Sequence, residues 1–243
     1  MNFSQRSYQK ELLDRDDIPF EDIKQNMQEL EFINKYLGGH RITIEGFRTM
    51  IAGTRKRLQK NKNIITICEI GCGGGDNLKV IDHWCRKNNI ETKFIGIDIN
   101  KECIQYARQN TSQIQRIELI TADYKKIQFD KQKPDIIFSS LFCHHFNDAG
   151  LIEILDWSRQ NAELGFFIND LQRHPLAYFS IKALTKLFSS SYLVKNDAPL
   201  SVKKGFTKKE LEDLFKQANI SHYQIKWKWA FRWLILAKKI DLN

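Results

Sequence analysis

Residues 64–75 read Ile-Ile-Thr-Ile-Cys-Glu-Ile-Gly-Cys-Gly-Gly-Gly, and they constrain the fold more than any other stretch. Ile64 to Ile70 is an apolar, β-branched run of the kind that suits a strand buried on both faces of a parallel sheet. Glu69 sits near its end, and glycines follow at 71, 73, 74 and 75. After Asp76 and Asn77, Leu78, Val80, Ile81 and Trp84 take up helical spacing. Strand, glycine turn and helix in that order bring bare backbone to the carboxyl edge of a sheet, where a small ligand's polar atoms can approach closely. A pyrophosphate-binding Gly-x-Gly-x-x-Gly turn needs its third glycine at position 76, which is Asp76. Glu69 and Asp76 would repel a pyrophosphate, whereas they suit an ammonium or sulfonium. The alternative is an ordinary strand-to-helix turn that happens to be glycine-rich.

The rest of the chain continues in register. Residues 92–99 form a second apolar run carrying Asp98, about 20 residues past the glycines, the separation at which such folds bind a ribose. Two sugar hydroxyls can donate to one carboxylate, and Ile99 then lies against the base. A solvated acid at a strand end is the plainer reading of Asp98. Residues 117–123 and 134–140 read as the third and fourth strands, with Pro134 where no ladder donor is lost. Leu141-Phe-Cys-His-His-Phe-Asn-Asp148 follows. Histidine titrates in the range a general base needs, so His144 and His145 are the catalytic candidates for taking a hydroxyl proton, or else they shape the loop. Adjacent ligands in a loop lack metal-site spacing, so no metal is expected.

Residues 163–171 make a fifth strand with Asn169 and Asp170 at its ligand end. Arg173 and His174 precede a helix over 176–188 that Pro175 opens. They suit an anionic or phenolic acceptor, or they cap the sheet edge. Phe142, Phe146 and Tyr178 offer a low-polarity wall. Polar residues 189–204 read as a linker and mobile lid. Thr207 and Glu210 form a capping box, and 223–229 with 231–238 alternate like a terminal hairpin. Upstream, helical spacing covers 22–37, stopped by Gly38-Gly39, and 43–59, with Leu58 inward and the basic triplet 55–57 outward.

With 243 residues, 42% hydrophobic and 28% charged, the chain is globular and long enough for one catalytic domain with a cap. The N-terminus lacks a signal peptide's apolar core and no apolar span is bilayer-length, so the expectation is a cytoplasmic protein without a membrane span. Five scattered cysteines predict reduced, mostly buried thiols. The net charge of +9 is spread in short doublets and triplets, which reads as solvated surface more than a nucleic-acid face.

The segment Glu69 to Gly75, Asp98, Ala122-Asp123, the fourth-strand segment and the helix opening Phe206-Thr-Lys-Lys-Glu-Leu resemble the class I S-adenosylmethionine (SAM) methyltransferases from about Thr43 to Lys239. The flanks Tyr8 to Asp14, Ile33-Asn34, Leu37-Gly38-Gly39, Asn169 to Pro175, Ser201-Val202 and Gly205-Phe206-Thr207 resemble bacterial small-molecule members associated with polyketide or aromatic metabolites. The resemblance implies SAM as cofactor, held by Glu69, Gly71, Cys72, Gly73, Gly75, Asp98, Ile99, Ala122, Asp123, Tyr124 and Ser139. Asp123 would accept from the adenine amino group, and a His-His pair would sit beside the methyl group. Acceptor contacts would come from Phe142, His145, Arg173, His174 and Tyr178. The implied fold is α/β, a doubly wound, Rossmann-like seven-stranded sheet with an antiparallel terminal hairpin. Its N-terminal helical cap (1–62) precedes a SAM-binding domain (63–243) in which 172–204 form an acceptor-side helix and lid.

Ser139-Ser-Leu-Phe142 stands where an adenine-methylating enzyme of nucleic acid has Asn-Pro-Pro-Tyr or Asp-Pro-Pro-Tyr. That difference speaks against amino methylation of adenine in nucleic acid, and the resemblance to the small-molecule members implies, as the expected activity, methylation of a small aromatic or lipid-like acceptor at oxygen. RNA or protein methylation, and a non-catalytic SAM-fold binding protein, are the alternatives.

Overall fold

A computed structural model describes residues 3–15, 17–52, 64–129 and 132–239. Seven strands form one sheet in the order β3-β2-β1-β4-β5-β7-β6. They are β1 (Ile64–Ile70), β2 (Glu91–Asp98), β3 (Ile117–Thr121), β4 (Ile136–Ser140), β5 (Gly165–Leu171), β6 (Tyr223–Lys228) and β7 (Arg232–Lys238). The first five run parallel, and β7 lies antiparallel between β5 and β6. This is the Rossmann-like architecture with the antiparallel terminal pair expected above. Strand order reverses between β1 and β4, which opens a crevice at their carboxyl ends.

The helices are α1 (Phe20–Tyr36), α2 (Gly39–Ile51), α3 (Asp76–Lys87), α4 (Lys101–Asn110), α5 (Asp148–Asn161), α6 (Pro175–Phe188), α7 (Tyr192–Lys204) and α8 (Lys208–Gln217). Alternate residues of β1 feed two cores, as a strand covered on both faces requires. Ile65 and Ile67 pack with Phe47, Met50, Leu78 and Ile81 from α2 and α3. Cys68 and Ile70 share the other face with Leu151, Ile154, Leu211 and Phe215 from α5 and α8. Thr207 and Glu210 close the capping box at α8, and Pro175 opens α6.

Two expectations need correction. The second N-terminal helix begins at Gly39 instead of residue 43, because Gly38 turns the chain at a φ of 82° and the helix starts at once. Its expected continuation through 53–59, with Leu58 and the basic triplet, lies outside the described residues. Residues 192–204 are a helix and not a mobile linker. The Ser191 hydroxyl accepts from the Val194 N–H, Glu29 of α1 accepts from the Ser190 and Ser191 N–H groups, and Leu193, Val194, Leu200 and Val202 are buried. Serines that suggest a linker here supply the helix cap.

Candidate active site

The glycine turn after β1 is built from backbone held in place by β2. Gly71 N–H and Cys72 N–H both donate to Ile97 O (2.8 and 3.1 Å), and Gly71, Gly73 and Gly75 take φ values of 66°, 49° and 73°. A Cβ on Gly71 would lie 2.1 Å from the Phe142 ring, so only glycine lets the β4 loop close over the turn. Cys72 buries its side chain in the core and offers the site only backbone. Asp98 ends β2 with each oxygen taking one backbone N–H, from Gly73 and from Asn100, both at 2.9 Å. Burial raises its pKa above the usual carboxylate range, and those N–H groups oppose the rise. Beside it Ile99 is 74% exposed, an open apolar shelf. Ala122 N–H donates to Asp98 O, and Asp123 caps the next turn by accepting from Lys125 N–H. The Tyr124 ring packs edge-on against Phe142, Phe146 and Trp157.

A chain of buried polar side chains runs from this turn to the end of β5. Asn77 Nδ2 donates to Glu69 Oε1 (3.0 Å), Thr43 Oγ1 donates to Asn77 Oδ1 (3.0 Å), and Asn169 Nδ2 donates to Thr43 Oγ1 (3.1 Å). Burial, with Asp76 nearby, pushes the Glu69 pKa well above normal. Asp76 is driven the other way: burial raises it, but His40 Nε2 at 2.7 Å and Asn34 Nδ2 at 3.3 Å outweigh that and leave it lowered. Arg232, at the head of β7, donates from Nη2 to Asn34 Oδ1 at 2.8 Å.

Buried polar atoms are nearly always partnered. Among the described residues, four buried side-chain atoms are not: Glu69 Oε2, Asn169 Oδ1, Arg232 Nη1 and Tyr124 Oη. Glu69 and Asn169 end or nearly end parallel strands, Tyr124 follows β3, and Arg232 begins the antiparallel β7. All four therefore lie toward one edge of the sheet, the carboxyl edge where the glycine turn sits. This is where unmet donors and acceptors belong if a polar ligand completes them, and the ammonium- and hydroxyl-bearing cofactor SAM fits the acceptors among them, Glu69 Oε2 and Asn169 Oδ1.

The histidine pair lies under an N-terminal strap. Asp170 Oδ1 is 2.7 Å from His144 Nδ1, and the His144 N–H donates to Asp170 Oδ2. His144 Nε2 and His145 Nε2 each lie 3.7 Å from the Glu11 carboxylate, while His145 Nδ1 is 3.3 Å from Asp14. The His145 side chain is 23% exposed against 3% for His144. Burial lowers the His145 pKa, but Asp14 and Glu11 overcome this and raise it. Glu11, His144 and His145 bring ligand-type atoms within 4.8 Å of one another. The cation in that cluster is the Lys204 ammonium, 3.1 Å from Glu11.

The acceptor-side expectations divide. The Arg173 guanidinium is spent on the frame: it donates to Phe3 O, Ser4 O, Gly205 O and Glu210. It ties the N-terminal strap to α8 and is not placed to hold an acceptor. His174 caps α6, accepting from Leu176 N–H, and stacks on Phe231. Tyr178 is buried against Phe3. Ser139 is buried with its hydroxyl 3.3 Å from Cys143 Sγ. Sequence reasoning missed the roles of Asn34, His40, Asn77, Glu11, Asp14 and Arg232. Glu11, Asp14 and Asn34 stood within the segments that carry the resemblance, without a role, and Arg232 left a signal as a charged residue heading a strand that is otherwise apolar from Trp233 to Ala237.

Residues 61–220 match the family model described as a methyltransferase domain, and the chain belongs to that family. With this fold it is a class I SAM-dependent methyltransferase. No curated protein matches the chain. Among solved structures it is similar to human N-acetylserotonin methyltransferase in complex with SAM (21% identity, 91% of this chain and 56% of that one, TM-score 0.62). It is also similar to the plantazolicin methyltransferase BpumL in complex with SAH (20% identity, 85% and 80% of the two chains, TM-score 0.54). A SAM-dependent methyltransferase from Aquifex aeolicus aligns at 15% identity over 82% and 97% of the two chains, with a TM-score of 0.53.

Proposed function

We propose that the chain methylates an oxygen of a small aromatic or lipid-like acceptor in the cytosol. One observation carries the reading: the unpartnered buried atoms of Glu69, Asn169 and Arg232 surround the turn and the β5 edge, where donor and acceptor would meet. Bound there, SAM supplies a methyl group on a positively charged sulfur. Gly71, Gly73 and Gly75 would face it with backbone, Asp98 would accept from the ribose, and Ile99, Ala122, Asp123 and Tyr124 would surround the adenine. Transfer in line needs mainly orientation and exclusion of water, and the edge-on cluster of Phe142, Phe146 and Tyr124 supports a low-polarity wall. Human N-acetylserotonin methyltransferase, similar in fold, is named for a small-molecule acceptor, which accords with this reading.

His145 is assigned as the group that takes the acceptor's proton. Its side chain is the more exposed of the pair, and the effect of its charge on Asp98 supports a position near the donor. Asp14 and Glu11 would stabilise the imidazolium once formed. His144, locked by Asp170, would position it. All five cysteines are free and buried, as a reducing compartment favours. The test is methylation of a phenol and fatty-acid panel with isotopically labelled SAM, with RNA as a further substrate. Label in methyl ethers of the phenols or methyl esters of the fatty acids supports the reading, and label only in RNA or in amines overturns it.

A further inference from the structure

Arg232 is 3% exposed and has a guanidinium nitrogen with no partner. A buried cation is costly unless paired, so an arginine kept in this state needs an explanation. Its surroundings prepare a site. Asn34 fixes Nη2, and Gly39 lets the backbone pack closely against the guanidinium: a Cβ there would come within 3.1 Å of Nη1 and 2.7 Å of Asn34 Oδ1. The nearby carboxylates are already occupied. Asp170 takes His144 and the Leu171 N–H, and Asp76 takes His40 and Asn34. They offset burial only in part, which leaves the guanidinium pushed down to about 10. What fits a planar, fixed, unpaired N–H donor is an oxyanion.

Strand order indicates whose oxyanion it is. The donor's ribose and adenine belong to the ends of β2 and β3, on one side of β1. Arg232 heads β7, three strands from β1 on the other side, so those two strands stand roughly 14 Å apart at the spacing of paired strands. It pairs in register with Leu171, and Asp170, which holds His144, is near enough for its charge to act on the guanidinium. We propose that Arg232 reads an anionic group, a carboxylate or ionised phenol, on the methyl acceptor, a role that rests on the methyl-transfer reading above. Arg232 is thus a specificity residue and takes the part the sequence suggested for Arg173.

The experiment loads the protein with S-adenosylhomocysteine and titrates it with hydroxybenzoic acids and their primary amides. Acids should bind the wild type at least about tenfold more tightly than amides, the scale of one charged hydrogen bond. Arg232→Gln should erase that preference and Arg232→Lys keep part of it. Gly39→Ala, which retains the arginine but crowds it, should reduce it. A merely structural arginine would not change the acid-to-amide ratio. The proposal is overturned if acids and amides bind alike, if no acid binds, or if the variants lose S-adenosylhomocysteine affinity while the acid preference survives. That last result would give Arg232 to the donor's own carboxylate. A wild type that binds no S-adenosylhomocysteine sinks the methyl-transfer reading instead.

Discussion

Asp98→Asn tests the proposed ribose contact. Each Asp98 oxygen already accepts one backbone N–H, from Gly73 or Asn100. A carboxylate offers about four lone-pair sites, so roughly one per oxygen remains for the two ribose hydroxyls. Asparagine replaces one oxygen by an NH₂ group. That group cannot accept from the backbone donor beside it, and it cannot accept from the hydroxyl. Losing one hydrogen bond to a charged acceptor costs about 1.5–3 kcal/mol, or roughly 10- to 150-fold in affinity. Calorimetric titration with S-adenosylhomocysteine at pH 7.5 measures this directly. A second signature separates charge from shape. The raised Asp98 pKa means that wild-type binding weakens as pH falls through that value, sooner than an ordinary carboxylate would allow. The asparagine variant should lack this acid limb. Affinity within twofold of wild type would remove Asp98 from the cofactor site.

Asp14→Asn removes a carboxylate that raises the His145 pKa, so that pKa falls. If His145 is the base, activity rises as it deprotonates, and the variant's rising limb in kcat/KM should move to lower pH; an unmoved limb demotes His145 to scaffolding. Arg173→Ala breaks the ion pair to Glu210 and three backbone contacts, so melting should reveal a loss of about 2–4 kcal/mol. The KM for acceptor, measured at a temperature where the variant stays folded, should not change, because Arg173 belongs to the frame.

Parts of the fold that rest on local sequence were legible. The run Ile64 to Ile70 had to be covered on both faces, the glycines had to turn, and Thr207 with Glu210 had to start a helix. Each depends on neighbours a few residues apart. The polar site is different. Asn34, Thr43, Asn77, Asn169 and Arg232 come from five elements separated by up to 198 residues, and only the tertiary fold brings them together. The same distance misled the reading of Arg173, whose partners Phe3 and Ser4 arrive from the far end of the chain. Residues 189–204 failed for another reason: a serine-rich stretch looks like a linker until Glu29 of α1 is seen to accept its amides.

The unpartnered atoms of the site also bear on stability. Each costs about 1–3 kcal/mol in the free protein, against a total that for a domain is only about 5–15 kcal/mol. Apolar residues of like volume would hold these positions more cheaply, so a sequence selected for stability alone would not keep Glu69, Asn169 and Arg232 in this state. A ligand that supplies the missing partners removes those penalties as it binds, which makes their removal part of its affinity. At a hundredfold excess over its Kd, such a ligand adds about 2.7 kcal/mol to the folded state. Cofactor and acceptor thus act on the stability of the same buried chain from Glu69 to Asn169, and the polar core that weakens the free fold is what makes its site selective.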